Sequence, residues 1–220
     1  GCKDCVRACA AANGGDTRWG AGDELTTGLR TAIRRGEWDG TPAPIKLQCM
    51  HCVDPACASA CMLGAMSKGP DGAVTWNGDL CVGCRYCEIA CPFNVPRFEW
   101  DTTTPALRKC ELCPERRAAG LLPACVEACP RGALTYGTRD ANLKEAHRRI
   151  AAAPRKYAER VFGELDGGGT QILYLTPAGV PLAAMGLPDL GEHSVPSLPE
   201  TIQHTLYKGF IAPLALFGLF

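Results

Sequence analysis

The feature that most constrains this chain is the run Cys81-Val-Gly-Cys84-Arg-Tyr-Cys87-Glu-Ile-Ala-Cys91-Pro92, four cysteines spaced by three, three and four residues with a proline behind them. Three thiolates on one tight loop can each take an iron of a cubane. The fourth, at the start of a helix, points elsewhere and reaches a second cluster, so the spacing is that of 4Fe-4S clusters held in pairs. A structural zinc site is the alternative, but zinc takes four thiolates and usually shows two separated Cys-x2-Cys pairs.

The chain carries 15 cysteines in 220 residues. Such a content belongs to disulfide scaffolds or metal proteins, and cysteines that fall in close-set groups at repeated spacings favour the metal. The 23 basic residues balance 23 acidic ones, which leaves no electrostatic footprint for nucleic acid. The length allows one domain or two small ones.

Three more groups of cysteine flank the first. The segment Gly1-Cys2-Lys3-Asp4-Cys5-Val6-Arg7-Ala8-Cys9 overlays Gly83-Cys84-Arg85-Tyr86-Cys87-Glu88-Ile89-Ala90-Cys91, with identity at the glycine, the three cysteines and the alanine. That register implies one more cysteine three places before Cys2, and hence an expected sixteen, four times four. The second motif is Cys49-Met-His-Cys52-Val-Asp-Pro-Ala-Cys57-Ala-Ser-Ala-Cys61, and the fourth is Cys110-Glu-Leu-Cys113 followed by Cys125-Val-Glu-Ala-Cys129. All four motifs end in Ala-Cys. Alanine suits a helix turn beside a bulky cluster, although helix propensity alone accounts for it equally well. Pro92 and Pro130 remove an N-H and stop the turn. Gly64-Ala65-Met66 and Gly132-Ala133-Leu134 lead towards two strand candidates, Ala73 to Trp76 and Leu134 to Tyr136.

Each motif gives its last cysteine to a neighbour, so pairing must be reciprocal. Motifs two and three lie about twenty residues apart and are expected to share a module, Cys49, Cys52 and Cys57 with Cys91, and Cys81, Cys84 and Cys87 with Cys61. Motifs one and four then pair around it, Cys2 and Cys5 with Cys129, and Cys110, Cys113 and Cys125 with Cys9. A sequential pairing, one with two and three with four, stays open. The predicted fold is α+β, with two ferredoxin-like modules bearing four cysteine motifs, an extended C-terminal arm and the start of a C-terminal transmembrane helix. The outer module takes 1–9 and 110–140, an insertion 10–48, the inner module 49–109, a helix and arm 141–200, and a membrane-interface helix 201–220.

Four motifs in this order, with Cys-Met-His-Cys-Val-Asp-Pro-Ala-Cys, Cys-Arg-Tyr-Cys, Ala-Cys-Pro-Phe-Asn-Val-Pro and Lys-Cys-Glu-Leu-Cys, resemble the iron-sulfur beta subunits of membrane-bound respiratory oxidoreductases. The tail Ile202-Gln-His-Thr-Leu-Tyr-Lys-Gly209 and the preceding Gly-Gly-Thr-Gln-Ile-Leu-Tyr-Leu look most like the HybA type, that of a nickel-iron uptake hydrogenase, with the beta subunit of formate dehydrogenase N close behind. The resemblance implies an electron relay through four 4Fe-4S clusters, from a catalytic partner to an integral membrane subunit that reduces quinone, on the periplasmic face of the bacterial inner membrane. Relatives that replace one ligand with tryptophan carry a 3Fe-4S cluster, but Trp19, Trp38, Trp76 and Trp100 all lie outside the motifs.

Elsewhere the sequence says less. Glu24 to Arg35 could form a short helix inside an insertion too long for a plain loop, and such an insertion is a candidate for docking a partner. From Asn142 to Ala153 the spacing of Leu143, Ala146 and Ile150 predicts an amphipathic surface helix stopped by Pro154. Gly167-Gly168-Gly169 reads as a flexible turn before a strand over Thr170 to Leu175, since no Lys-Ser/Thr follows it. The proline-rich stretch from Thr176 to Pro199 is expected to cross a partner's surface. Residues 210–220 are uncharged, and with Tyr207 and Lys208 at an interface they are expected to enter a membrane span.

Lys3, Arg85, Lys109 and Arg131 lie close to ligands and could raise cluster potentials, although basic residues on surface loops look the same. His51 sits inside the second motif and cannot ligate without displacing a cysteine. His204 is expected to make an interface contact. No nucleophile-base constellation is visible, so no catalytic residue is expected.

Overall fold

The computed structural model describes residues 2–15 and 23–197, together with 200–202, 205, 206, 209 and 218. Short helices carry the cysteines, and they are of two kinds. Helices α1 (Asp4–Ala12) and α3 (Tyr86–Ala90) each start after a basic residue in the left-handed region, Lys3 with φ 58° and Arg85 with φ 63°. Helices α2 (Ala56–Ser59) and α5 (Ala124–Glu127) each start after a proline, Pro55 and Pro123, in matching Pro-Ala-Cys sequences. The loops ahead of these two also turn through left-handed residues, His51 with φ 48° and Leu112 with φ 59°. Non-glycine residues are uncommon there, so the recurrence at matching motif positions reflects a loop that has to wrap around something. One helix of each kind forms a pair, with α1 against α5 and α2 against α3.

Among the described residues, ten short strands form five separate antiparallel ladders. β1 (Ala32–Arg34) pairs with β4 (Ile45–Leu47), and between them lies the hairpin of β2 (Glu37–Trp38) and β3 (Thr41–Pro42). Asp39 and Gly40 at its tip both have positive φ, the Asp-Gly turn that matches strand twist. β5 (Met66–Lys68) pairs with β6 (Val74–Trp76), β7 (Arg97–Phe98) with β8 (Leu107–Arg108), and β9 (Tyr157–Phe162) with β10 (Tyr174–Pro177). Helices α4 (Pro114–Ala118) and α6 (Arg139–Ala152) complete the set.

Several expectations are corrected here. Glu24 to Arg35 is not helical. Thr26 and Leu29 close a turn on each other, Gly28 and the β-branched Thr26 and Thr27 weaken a helix, and the segment's end becomes β1. The strand over Ala73 to Trp76 forms as β6, but Leu134 to Tyr136 joins no ladder. Backbone N-H groups of 131–134 turn instead towards the Cys129 thiol. The predicted surface helix is α6, starting earlier because the Thr138 hydroxyl accepts the Ala141 N-H at 3.3 Å. The last strand, β10, starts late because Gln171 and Ile172 give their N-H groups to His51 and Met50, and Thr170 bridges Cys52. The early part of the proline-rich arm covers this chain's own insertion. Val180, Met185 and Leu187 bury against Ala43, Ile45, Met50 and Phe162.

Among the described residues no helix is long and apolar enough to cross a membrane. The stretch 210–220 expected to do so lies outside them, Gly218 aside, as do Trp19, His204, Tyr207 and Lys208.

Candidate metal centres

All fifteen cysteines are free thiols, and the structure gathers them into four groups, numbered here by position along the molecule. In site I, Cys61, Cys81 and Cys84 act electrostatically on Cys87. In site II, Cys49, Cys52 and Cys91 act on Cys57. In site III, Cys9, Cys110, Cys113 and Cys125 line one cavity of about 360 Å³. In site IV, Cys5 feels Cys129 and also Cys125 of site III, and Cys2 lies just ahead of α1 in the same motif. Each group, the fourth with three members, takes its last member from another motif. Cys57 lies in α2 and Cys61 follows its C-cap, and Cys5 and Cys9 are one turn apart in α1.

The groups stand in a row. Sites I and II flank α2, sites III and IV flank α1, and Cys49 of site II lies within electrostatic reach of Cys110 of site III. Cys49 and Cys57 of site II, Cys9 and Cys110 of site III and Cys87 of site I are buried, whereas Cys84 in site I and Cys2 in site IV are exposed. Large apolar side chains surround site I on the outside. Met62 is 83 % exposed, Ile89 80 %, and Val82 and Trp100 nearly as much. Arg85 stacks over Trp100 at 3.8 Å from the ring centroid.

Burial pushes the Cys9 and Cys49 thiols up to about 11 and those of Cys52 and Cys87 to about 12. Desolvation is the leading cause and neighbouring thiols add to it. Bare thiols packed this way hold their protons, and only a bound cation compensates the loss of several at once. Backbone N-H groups already point at the sulfurs. Met66 donates to Cys61 at 3.5 Å and Gly83 to Cys81 at 3.4 Å, and Phe93, Asn94 and Val95 turn theirs to Cys91. Thr31, which lines the site III cavity, has a buried hydroxyl whose electrostatic partner is the Cys9 thiol. Among the described residues no three of His, Cys, Asp or Glu close around one point as the ligands of a single ion do. In a cubane each thiolate holds a different iron, so that convergence is not needed. Donor set, cavity and N-H groups fit an iron-sulfur cluster.

The remaining candidates fall around these sites. His51 is fully buried, and its Nδ1 accepts the Val74 N-H at 2.9 Å, which places the ring proton on Nε2. Burial, with Lys109 next in effect, lowers it to about 3, so the imidazole is neutral. Lys109 is buried, donating to the carbonyls of Val74 and Cys110. Lys3 pairs with Asp23 at 3.1 Å, and Arg131 lies in the turn after Cys129. Sequence reasoning missed Lys46, buried on β4, whose signal was a lysine set between Ile45 and Leu47 in an apolar strand. It also missed Glu111, which accepts from Arg30 at 3.0 Å and from the Trp76 N-H at 2.9 Å, tying insertion, β6 and fourth motif together.

Paired cysteine-loop helices with two-stranded ladders define a ferredoxin-like iron-sulfur protein. Residues 43–139 match the family model of the 4Fe-4S dicluster domain. The chain is 40 % identical to the hydrogenase-2 operon protein HybA of Escherichia coli O157:H7, over 98 % of this chain and 78 % of that protein. It is 37 % identical to the iron-sulfur subunit of the nitrate-inducible formate dehydrogenase of Escherichia coli K12, over 77 % of this chain and 56 % of that one. The B subunit of the anaerobic dimethyl sulfoxide reductase from the same strain is 44 % identical over 49 % of this chain and 51 % of its own length. This chain therefore belongs to the HybA family of iron-sulfur subunits.

Proposed function

We propose that this chain is an electron-transfer subunit that passes electrons along a row of four 4Fe-4S clusters between a nickel-iron hydrogenase catalytic subunit and an integral membrane subunit that reacts with quinone. The observation that supports this reading is the succession of neighbouring thiol groups, with an exposed cysteine in each of the two outer ones, Cys84 and Cys2. When bound, such clusters supply one-electron stations. Cys61, Cys81, Cys84 and Cys87 would hold the first, Cys49, Cys52, Cys57 and Cys91 the second, and Cys9, Cys110, Cys113 and Cys125 the third. Cys2, Cys5 and Cys129 would serve the fourth. Sites I and II make the inner module and sites III and IV the outer one.

The chain's own residues do the rest. Buried loops exclude water from sites II and III, backbone N-H groups solvate the sulfurs, and the apolar collar at site I offers the contact surface that protein partners use. No catalytic site of its own is assigned to the chain, and anchoring by residues 201–220 at the periplasmic face of the membrane completes the proposal. A hydrogenase partner is favoured because identity to HybA extends over almost the whole chain. The formate dehydrogenase reading rests on the shorter match. A zinc-binding module would need four thiolates converging on one ion.

Iron and sulfide analysis with electron paramagnetic resonance of the reduced protein tests the assignment. Four cubanes are expected, with Cys9→Ala losing the site III signal and Cys61→Ala that of site I. Fewer than four centres, or a Cys9→Ala protein that loses the cluster of Cys49, Cys52 and Cys57 instead, would overturn it. Nickel or molybdenum in the co-purifying large subunit distinguishes the two partner classes.

A further inference from the structure

Two lysines are buried in the row of thiols. Lys46 is 6 % exposed and Lys109 2 %, although lysine is almost never fully buried unless paired. Among the described residues no carboxylate forms an ion pair with either. Lys46 donates to the Gln48 side chain and Lys109 to two backbone carbonyls, that of Cys110 at 3.2 Å. Neutral acceptors satisfy hydrogen bonds but do not offset an ammonium charge. Neither lysine has a carboxylate partner, so an anion of another kind beside each would complete the arrangement.

Their positions identify it. Lys109 is joined to the backbone of Cys110 in site III and acts on Cys49 and Cys57 of site II. Lys46 lines the site III cavity beside Cys9 and Cys110 and acts on Cys5 of site IV. Each cation therefore stands between two neighbouring thiol groups, Lys109 at the junction of the two modules and Lys46 within the outer one.

We propose that Lys109 and Lys46 are shared counter-charges, Lys109 for the clusters of sites II and III and Lys46 for those of sites III and IV, and that they hold those reduction potentials up. The inference rests on the reading of the thiol groups as cluster sites. A cubane on four thiolates is anionic and gains one negative charge on reduction. A fixed cation in a low-dielectric interior favours the reduced form, and net charge is one of the factors that set the potential. Site III, touched by both lysines, is held up most.

Potentiometric titration followed by electron paramagnetic resonance, on the iron-loaded protein in its complex, tests this, with Cys9→Ala and Cys91→Ala assigning the signals of sites III and II. Lys109→Met is expected to lower the midpoints of sites II and III, and Lys46→Met those of III and IV. Site I should stay in place in both, and the double variant should lower site III further than either single one. Lys109→Arg and Lys46→Arg keep the charge and should keep the potentials. Unmoved midpoints at full iron content overturn the proposal while the cluster reading stands. Too little iron in the unaltered protein overturns the cluster reading itself. If a methionine variant loses iron, rescue by arginine but not by glutamine supports the counter-charge, and rescue of iron and potentials by glutamine overturns it.

Discussion

Phe162 shows what a single side chain contributes away from the cysteines. It is fully buried, edge-on to Phe93 behind the third motif at 6.4 Å between centroids and tilted against Tyr174 at 6.3 Å. Phe162→Ala should cost about 3–5 kcal/mol, read as a lower melting temperature of the cluster-loaded protein. The next residue acts through its backbone. Gly163 has φ 94°, and a Cβ there would strike the Thr170 hydroxyl and the Ile172 carbonyl oxygen. Gly163→Ala is expected to destabilise by more than about 1 kcal/mol, since both strain and contact oppose it. A melting curve that matches the unaltered protein would refute either expectation. The grouping of the thiols was legible in the sequence, because it depends on spacing along a few residues. Lys46 and Thr31 were not, because their role depends on what lies across the fold.

Among elements, α6 was the most legible, since fourteen residues are enough for a helical period to show. Its cap was not legible, and the expected start falls at Asn142, because the apolar spacing first shows only from Leu143. Thr138 stands where a hydroxyl can satisfy a free N-H, and Thr138→Ala should cost about 1 kcal/mol, measured as a fall in thermal stability with iron content unchanged. If iron were lost in proportion, α6 would be part of the cluster scaffold and not an independent brace. Strands of two or three residues were harder to see, because alternation needs more length than that. β9 was missed for a related reason. Its burial runs from half-buried through exposed to buried and follows the packing of α6 and β10, with no clean alternation along it. The hairpin of β2 and β3 carried a readable Asp39-Gly40 turn, but its two-residue strands were too short to show alternation.

For the whole molecule, reciprocal exchange of the last cysteine leaves few arrangements of the motifs, and the contacts of α1 with α5 and of α2 with α3 agree with the nested one, whereas the order of sites had no sequence signal. That order comes from the packing of α1 on α5 and α2 on α3 and from the approach of Cys49 to Cys110, all long-range contacts with no local sequence signal. It also sets how the molecule should come apart. Local opening is easiest where backbone and ligands already meet solvent, and here those places are the two ends, at Cys84 and Cys2. Sites II and III sit behind buried cysteines, and the Glu111 contacts with Arg30 and Trp76 pin the loop at their junction. Iron release to an excess of chelator in mild denaturant should therefore be biphasic, with the end clusters lost first and the signals of sites II and III persisting. Glu111→Gln weakens a charge-assisted hydrogen bond worth about 1.5–3 kcal/mol, so it should accelerate the slow phase and leave the fast one unchanged. A single release phase, or a Glu111→Gln protein that speeds only the fast phase, would contradict the order of sites from which the prediction is drawn.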